Sequence, residues 1–393
     1  MQTNDGELVL DWPDNFNEVP KDIFYRQDVY KREIARIFQG PEWHPVAHIA
    51  EIPEKGRYKT SVVGEMPIFI VHGDDGQVRV FENSCTHRGT QLATCPRGVF
   101  KEIECPYHRW VFSNCGALIS ASGSRDFPDK FVKSDYDLRE LRSASVFGVI
   151  FATCSDSAPD IDTYLGDAKD QIGSALGGDG RLKLMGYQKV RFLTNWKEYA
   201  DNEGYHAPLL HGAFRLLQWQ GGKGSQFMTD HAHKVINTSL TIPTSGGFLK
   251  DNSLVEARDT RLAPRSVVIS LFPVSIILSH LDVINVRYAF PVSPDETEVH
   301  YAYFSHEDDS PELAKHRLRQ ASNLLGPSGL ISLEDGAVFN RLHVGAKTGG
   351  KVAFQKGVTA EAPKPPYIFN NNDEAGNLVR WNRYREAMGF ADA

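Results

Sequence analysis

Long apolar runs, a basic leader and an excess of positive charge are all missing from this 393-residue chain. The sequence contains no run of about eighteen apolar residues, so no membrane-spanning helix is predicted. The first residues contain no basic segment followed by an apolar one, so no secretory signal is predicted. A formal net charge of −7 argues against nucleic acid as the main partner, because a phosphate-binding surface needs clustered Lys and Arg. We therefore expect a cytoplasmic protein that binds neither membrane nor nucleic acid.

The length and composition indicate two domains of an ordinary globular protein. Hydrophobic residues make up 41% of the chain and charged residues 24%. A chain of 393 residues exceeds what one hydrophobic core usually supports. No internal repeat or low-complexity tract interrupts it, and the segments near Lys364-Pro-Pro and Asn370-Asn-Asn are predicted to be loops.

Four side chains that can bind metal form two pairs, Cys85-x-His87 and, after seventeen residues, Cys105-x-x-His108. Two thiolates and two imidazoles can hold a zinc ion or a [2Fe–2S] cluster with both histidines on one iron. Zinc fingers tend to pair Cys with Cys and His with His, whereas each loop here carries one of each, which favours the cluster. The remaining cysteines are predicted to be small buried hydrophobes in a reducing compartment: Cys95, Cys115 and Cys154.

These residues resemble the Rieske motif, and the whole chain resembles the α subunit of a Rieske non-haem iron oxygenase of the aromatic-ring-hydroxylating family. One departure is visible. The family usually continues Tyr-His-Gly-Trp, whereas this chain has Tyr107-His108-Arg109-Trp110. The positive charge of Arg109 beside a ligand could raise the reduction potential of the cluster or contact a redox partner.

A second site is indicated by residues 195–211, which contain His206 and His211. Two histidines and one carboxylate with open positions form the site that Fe(II) oxygenases use. The segment resembles the family's Asn-Trp-Lys … Tyr-His-x4-His signature, and this resemblance implies that Asp335 is the distant carboxylate. Glu334 is the competing candidate, otherwise a residue of a solvated helix face.

The resemblance also implies catalytic roles for Glu203 and Asn202. Glu203 stands three residues before His206 and would bond that histidine and His108 of a neighbouring subunit, which fixes both imidazoles. Asn202 would lie near the iron. The chain is about two residues shorter than the family's usual spacing here, so Asp201 is an alternative bridge.

The fold class predicted is α+β: an all-β Rieske domain followed by a catalytic domain with an antiparallel sheet flanked by helices, similar to a helix-grip fold. A helix with Val29, Ile34, Ile37 and Phe38 on one face lies in residues 1–42 and is expected to pack on the catalytic domain. Residues 43–160 form the Rieske domain and residues 161–393 the mononuclear iron domain.

The remaining predicted elements follow from alternation, apolar runs and turn signals. The region around residues 155–182 is predicted to be a passage between the domains. Helices are predicted near residues 311–325 and 377–388. Strands are predicted at 61–63, 66–71, 77–81, 145–151, 266–272, 275–279, 283–290 and 298–304.

The resemblance implies a terminal oxygenase with a Rieske [2Fe–2S] cluster and a mononuclear Fe(II). No Gly-x-Gly-x-x-Gly in a βαβ setting is visible, so NAD(P)H electrons would arrive through a partner reductase or ferredoxin. The expected assembly is an α3 trimer, with or without β subunits. The expected substrates are O2 and an aromatic compound that resembles an aromatic acid. Such a reaction belongs to aromatic hydrocarbon catabolism.

Three alternatives remain open on the sequence. One is a Rieske monooxygenase acting on a quaternary amine, for which an aromatic cage is expected, or an N- or O-demethylase. The second is an electron-transfer protein that uses the cluster alone. The third is a structural zinc protein.

Overall fold

The computed structural model describes Leu8 and residues 10–202, 212–216, 223–240, 248–261 and 265–390, with only the backbone for residues 214 and 215. The chain divides into two compact units. One is Phe38–Pro159, and the other combines Met1–Ile37 with Asp160–Ala393. Within the described residues, no helix combines the length and apolar character that crossing a membrane requires.

The larger unit begins with strand β1 (Glu18–Pro20) and helix α1 (Gln27–Glu33). A π-type turn, Ile34–Phe38, continues α1 directly. The helix predicted in this segment is confirmed, and its four apolar positions are at most 6% exposed. The apolar spacing therefore identified the buried side of this helix correctly.

Glu33, at the end of α1, anchors the N-terminal segment. Its carboxylate accepts hydrogen bonds from Trp196 Nε1 at 2.8 Å, Lys197 Nζ at 2.5 Å and the Tyr384 hydroxyl at 2.6 Å. Glu33 is 0% exposed, so its charge depends on these donors. Removal of any one of them would leave a buried charge less well compensated.

The smaller unit is all β. Its seven-stranded antiparallel sheet has the order β2-β11-β10-β5-β4-β3-β6, and a three-stranded sheet has the order β7-β8-β9. The strands are β2 (His44–His48), β3 (Arg57–Val63), β4 (Met66–His72), β5 (Val78–Glu82), β6 (Arg97–Val99), β7 (Glu102–Glu104), β8 (Val111–Ser113), β9 (Leu118–Ser120), β10 (Glu140–Val146) and β11 (Val149–Thr153).

One predicted strand of this unit is wrong. Residues 145–151 form the ends of β10 and β11, which pair as an antiparallel hairpin around Phe147 and Gly148. Both turn residues have positive φ, 48° for Phe147 and 82° for Gly148. A two-residue turn with positive φ at both positions matches the twist of the flanking strands. Phe147 is not a residue that signals such a turn, so the apolar run was read as continuous.

The larger unit is built on an eight-stranded antiparallel sheet of order β12-β18-β17-β16-β15-β14-β13-β20. A separate pair joins β1 to β19. The elements are α2 (Ile161–Leu165), α3 (Ala168–Ala175), β12 (Leu182–Phe192), α4 (Trp196–Asp201), α5 (Gly212–Leu216), β13 (Gly224–Met228), β14 (Lys234–Ser239), β15 (Arg265–Leu271), β16 (Ser275–His280), β17 (Val283–Ser293), β18 (Glu296–His306), α6 (Pro311–Gln320), α7 (Leu330–Ala346), β19 (Lys351–Ala353), β20 (Ile368–Asn370) and α8 (Ala375–Met388).

Helices lie on both faces of this sheet. Arg265 of β15 donates to Ser174 of α3 at 2.9 Å, whereas Ser270 of the same strand accepts from Arg380 of α8 at 2.6 Å. Side chains five residues apart on a strand point to opposite faces. The predicted α+β class is confirmed: an all-β domain is followed in the chain by a domain with an antiparallel sheet flanked by helices.

Two local predictions in this unit need correction, and one helix was not predicted. The passage expected at residues 155–182 contains α2 and α3, and α3 packs on the sheet. The loop expected at Asn370 begins inside β20, whose residues pair with β13. Helix α7 was not predicted as an element, because its exposed side carries apolar residues that hide the usual helical alternation.

Candidate functional site

The two loops that carry Cys85 and Cys105 have the same local structure. In the first, Cys85 N–H donates to Thr90 at 2.8 Å and Gly89 N–H donates back to Cys85 at 2.8 Å. In the second, Cys105 N–H donates to Trp110 at 2.8 Å and Arg109 N–H donates back to Cys105 at 3.1 Å. Each loop therefore closes over six residues and presents one thiol and one imidazole.

Burial separates the thiols from the imidazoles. Cys85 and Cys105 are 2% and 1% exposed and belong to the core of the unit, and the two thiols lie within hydrogen-bonding reach of one another. The rings of His87 and His108 are partly exposed and meet edge to face with centroids 4.7 Å apart. Thiols on the inside and imidazoles on the outside match a [2Fe–2S] cluster with two cysteines on one iron and two histidines on the other.

His87 Nδ1 supports this fit. It is buried and makes no hydrogen bond within the described part of the chain. A buried ring nitrogen without a partner is costly unless it serves another purpose, and metal ligation is such a purpose. Trp110 stacks on the ring of His87 with centroids 4.5 Å apart and planes 7° apart, so the imidazole is held in one orientation.

Arg109 occupies a backbone conformation that favours glycine. Its φ is 56°, and the equivalent position of the first loop is Gly89 with a φ of 76°. Its side chain pairs with Glu104 at 2.9 Å, but the two side chains are 68% and 50% exposed, so the pair contributes little stability. The left-handed region costs a residue with a Cβ about 1–2 kcal/mol. The departure from the family's glycine therefore carries a conformational cost.

We expect Arg109→Gly to stabilise the smaller unit by about 1 kcal/mol or less, because relief of the left-handed strain is partly offset by the greater entropy of glycine in the unfolded chain. Thermal unfolding of the loaded protein measures this. Gly89→Ala is the matched control: a Cβ there meets no atom closer than 3.8 Å, so only the backbone penalty acts and the variant should be less stable. A less stable Arg109→Gly variant would contradict the strain argument.

Five cysteines are free in the structure. The prediction of a buried residue is wrong for Cys95, which is exposed, whereas Cys115 and Cys154 are partly buried. Cys95 lies just before β6 and outside the apolar core that holds the two cluster loops.

Helix α4 leads into the predicted iron segment. Asn195 begins it with a capping box, in which its side chain accepts from Lys197 N–H and Glu198 accepts from the N–H of Asn195 at 2.9 Å. The helix ends at Asp201, and the N–H of half-buried Asn202 donates to Tyr199 at 3.4 Å. The role given to Asn202 stays a prediction.

Three predicted site residues, Glu203, His206 and His211, lie outside the described residues. Among the residues that are described, no group of three or more His, Cys, Asp and Glu is placed to hold one metal ion. The structural information on this site comes from α5, which begins directly after His211, and from α7.

Glu334 joins α5 to α7. Its two carboxylate oxygens accept the N–H groups of Gly212 and Ala213, each at 2.8 Å, at the start of α5. The alternative role of Glu334 on a solvated helix face is therefore wrong, since the carboxylate satisfies two helix N-terminal donors. The next residue, Asp335, is half-buried on the same helix. Asp335 therefore follows directly on the residue whose carboxylate caps the start of α5. Its role as the iron-binding carboxylate stays a prediction.

Asp201 is held in a different environment. Its carboxylate accepts from Trp381 Nε1 at 2.9 Å, and its backbone carbonyl accepts from Asn377 at 2.9 Å. Burial raises the pKa of Asp201 to about 6, although the charges of Lys234 and Arg380 oppose that shift. These contacts indicate a residue that fixes the end of α4 against α8.

His343 connects α7 to α4. Its Nδ1 lies 3.0 Å from Glu198 Oε2 and its Nε2 lies 2.7 Å from Asp295 Oδ1. Burial alone would lower the pKa of His343, but the hydrogen bonds to Glu198 and Asp295 outweigh burial and raise it. The sequence gave no signal for a partner 145 residues away.

The hydrogen bonds of His343 to Glu198 and Asp295 predict that the free energy of unfolding depends on pH. Because the folded pKa of His343 is raised, its stabilising contribution is complete below the unfolded pKa of about 6.5 and is lost as the pH rises through the folded value. We expect the difference in unfolding free energy between wild type and His343→Gln to shrink as the pH is raised across that interval. Chemical unfolding at a series of pH values measures it, and a difference that grows with pH would contradict the assignment.

Comparison with known proteins agrees with this geometry. Residues 42–130 match the family described as the Rieske [2Fe–2S] domain, and residues 180–383 match the ring hydroxylating alpha subunit (catalytic domain). The chain is 31% identical to the anthranilate 1,2-dioxygenase large subunit of Burkholderia cepacia, over 96% of this chain and 95% of that one. It is 30% identical to a terephthalate 1,2-dioxygenase terminal oxygenase α subunit of Comamonas sp., over 98% of each.

Two solved structures share the fold. Naphthalene 1,2-dioxygenase from Rhodococcus sp. aligns with a TM-score of 0.81 at 24% identity, covering 96% of this chain and 95% of that one. A quaternary ammonium Rieske monooxygenase aligns with a TM-score of 0.76 at 22% identity, covering 95% and 96%. At these identities the two likenesses concern the fold alone.

The two domain matches rule out two alternatives. A zinc protein does not fit a Rieske domain, and an electron-transfer protein without a catalytic domain does not fit the match over residues 180–383. The buried thiols suit the cluster that such proteins contain, as does the His87 nitrogen that makes no hydrogen bond with the described residues. The chain belongs to the family of ring-hydroxylating α subunits: it is a Rieske non-haem iron oxygenase that uses a Rieske [2Fe–2S] cluster and a mononuclear iron.

Proposed function

We propose that this α subunit is the terminal oxygenase of a system that hydroxylates an aromatic acid with O2. The observation that carries the proposal is the match over nearly the whole chain to proteins named for anthranilate and terephthalate, both aromatic carboxylates. Two relatives with similar substrates and coverage of 96% and 98% of this chain favour that class over a hydrocarbon or an amine.

The residue assignment follows the two loops and helix α7. Cys85 and Cys105 would hold one iron of the cluster, and His87 and His108 the other. The mononuclear iron would be held by His206, His211 and Asp335. We assign residues 1–42, 43–160 and 161–393 to the N-terminal segment, the Rieske domain and the catalytic domain.

The two bound groups supply single-electron transfer and an open coordination site for O2. The protein keeps the cluster thiols away from water and fixes the plane of His87 against Trp110. Glu334 holds the start of α5 against α7, the helix that carries the proposed ligand Asp335. We assign Glu203 the role of bonding His206 and the neighbouring subunit's cluster histidine, and Asn202 a position near the iron.

We also propose the partners. NAD(P)H electrons would come from a reductase, with or without a ferredoxin, and the chain would assemble as an α3 trimer, with or without β subunits. A trimer is proposed because electron transfer between neighbouring subunits requires a partner chain. Size-exclusion chromatography with light scattering tests it, and a monomer that turns over substrate would remove the need for that route.

Oxygen uptake coupled to a surrogate reductase tests the function. The loaded protein is screened against aromatic acids, neutral aromatic compounds and quaternary amines, with iron and acid-labile sulfide measured on the same sample. Uptake and hydroxylated product with aromatic acids support the proposal. Zinc without sulfide, or loaded protein that consumes oxygen with quaternary amines alone, would overturn it.

A further inference from the structure

Asn285 is a buried amide that makes no side-chain hydrogen bond with any residue the structure describes. It lies in β17, in the middle of the large sheet, and is 0% exposed. Neither Oδ1 nor Nδ2 makes a hydrogen bond within the described part of the chain. Buried side-chain amides are almost always bonded, so two unsatisfied atoms in one residue are unusual and costly.

The residues across from Asn285 on the two neighbouring strands offer its side chain no hydrogen bond. Leu278 lies across from it on β16 and has no polar atom in its side chain. Tyr303 lies across from it on β18, but the Tyr303 hydroxyl donates to Gln188 Oε1 at 2.6 Å. The amide projects from the sheet, and neither of its polar atoms is bonded to a side chain on the two neighbouring strands.

Arg287 lies beside Asn285 on the same face. The two residues are two apart on one strand, so their side chains point the same way. Arg287 is 8% exposed, and its guanidinium carbon lies 5.0 Å from the ring centroid of Tyr301, the residue across from it on β18. An arginine keeps its positive charge when buried. This face therefore presents a fixed cation next to an amide.

Helix α7 covers the same face. Phe192 of β12 lies across from Thr297, which is on the same side of β18 as Tyr301, and its ring meets Phe339 of α7 with centroids 5.4 Å apart. At the start of α7, the Leu325 carbonyl accepts from Ser332 Oγ at 3.0 Å and from Arg287 Nη2 at 3.5 Å. Ser332 precedes Asp335 by three residues, close to one helical turn. The Asn285–Arg287 pair is thus near the predicted iron carboxylate.

We propose that Asn285 and Arg287 form the subsite for the polar end of the substrate, a carboxylate with a hydroxyl or amino group on the neighbouring ring carbon. This inference rests on the proposed function and adds the chemical class of the substrate. The Arg287 guanidinium and Asn285 Nδ2 donate to the carboxylate, and Asn285 Oδ1 accepts from the neighbouring hydroxyl or amino group. Both atoms of the amide are then satisfied.

The charge of Arg287 also gives selectivity. A charged donor bonded to a carboxylate in a buried place is stronger than a neutral pair. A quaternary ammonium ion without a carboxylate would bring a like charge towards Arg287, and its charged group has no N–H to donate to Asn285 Oδ1. A neutral phenol would lose the charged interaction.

Calorimetric binding to the loaded oxygenase, without oxygen or reductant, tests the subsite without turnover. The probes are 2-hydroxybenzoate, benzoate, phenol and choline. Wild type should bind 2-hydroxybenzoate more tightly than benzoate, and both more tightly than phenol or choline. Asn285→Leu should weaken 2-hydroxybenzoate binding by about 10- to 100-fold and remove its advantage over benzoate. Arg287→Gln should weaken both acids by a similar factor and leave phenol unchanged.

A control separates a ligand subsite from a structural amide. Asn237, on β14, donates its Nδ2 to Gln171 Oε1 at 3.0 Å, so its amide is already satisfied. Asn237→Leu should lower the thermal midpoint and leave acid affinity unchanged. Asn285→Leu should lose affinity with an unchanged or higher midpoint. If Asn285→Leu does not fold, Asn285→Ser provides the same binding comparison.

Two results would overturn the subsite: Asn285→Leu or Asn285→Ser binding 2-hydroxybenzoate as wild type does, or choline binding as tightly as the acids. The proposed function fails separately. Protein that contains iron and sulfide and consumes oxygen with aromatic acids, yet binds them without Asn285 and Arg287, remains an oxygenase for aromatic acids but lacks this subsite.

Discussion

Replacement of Asp335 by alanine is expected to lower the iron content from about three atoms per chain to about two, while acid-labile sulfide and the visible spectrum of the cluster are retained. Product formation should then fall below detection. Two histidines without a carboxylate leave the Fe(II) with too few protein ligands, whereas the cluster lies in the other compact unit. Metal analysis and a visible spectrum on one sample measure both centres.

Glu334→Gln is the matched control for Asp335→Ala. Glu334 bonds the N–H groups of Gly212 and Ala213, so its amide analogue keeps one acceptor and weakens the start of α5. We expect a reduction in iron affinity of about 10- to 100-fold, as for a residue that positions a ligand, and not complete loss. Full iron in Asp335→Ala together with none in Glu334→Gln would reassign the ligand to Glu334.

Glu203→Gln is expected to leave both metal centres bound and to lower product formation by about 100-fold or more. A carboxylate between two imidazoles fixes both rings and compensates the proton that moves when the electron does. The amide has the same shape but no charge. Rapid-mixing measurement of cluster oxidation after chemical reduction, with metal analysis, isolates the transfer step from binding of the metals.

Asp201→Asn distinguishes the two candidate bridges. Asp201 accepts from Trp381 and is buried near Lys234 and Arg380, so its replacement should alter stability more than transfer. Slow cluster oxidation in Asp201→Asn, combined with normal oxidation in Glu203→Gln, would assign the bridge to Asp201. Normal oxidation in both variants would remove a carboxylate bridge altogether.

Local patterns predicted one half of the site well. The Cys85 and Cys105 loops were recognisable because each ligand pair lies within four residues, and the helix of residues 27–38 because its apolar spacing is regular. The two-residue turn at Phe147 and Gly148 was missed because Phe147 is not a typical turn residue. Its positive φ is imposed by the pairing of the flanking strands.

Contacts between residues far apart in the chain could not be predicted from the sequence. Glu334 bonds α5 across 121 and 122 residues, and His343 reaches Glu198 across 145. That the Asn285 amide makes no hydrogen bond among the described residues depends on which residues lie across from it on two neighbouring strands. The register of these strands is fixed only in the assembled sheet. In the sequence, Asn285 is a single polar residue in an apolar run and gives no sign of its cross-strand neighbours.

The register of α7 sets several distances at once. Its first turns carry Ser332, which shares a carbonyl with Arg287, then Glu334 and Asp335. Each residue of an α-helix turns the chain by about 100° and advances it by about 1.5 Å. A slip of one residue between Gly326 and Leu330 would therefore rotate Asp335, the predicted iron carboxylate, and move the cap of α5 with it. Insertions and deletions in this connection should be far less tolerated than substitutions on the exposed side of the helix.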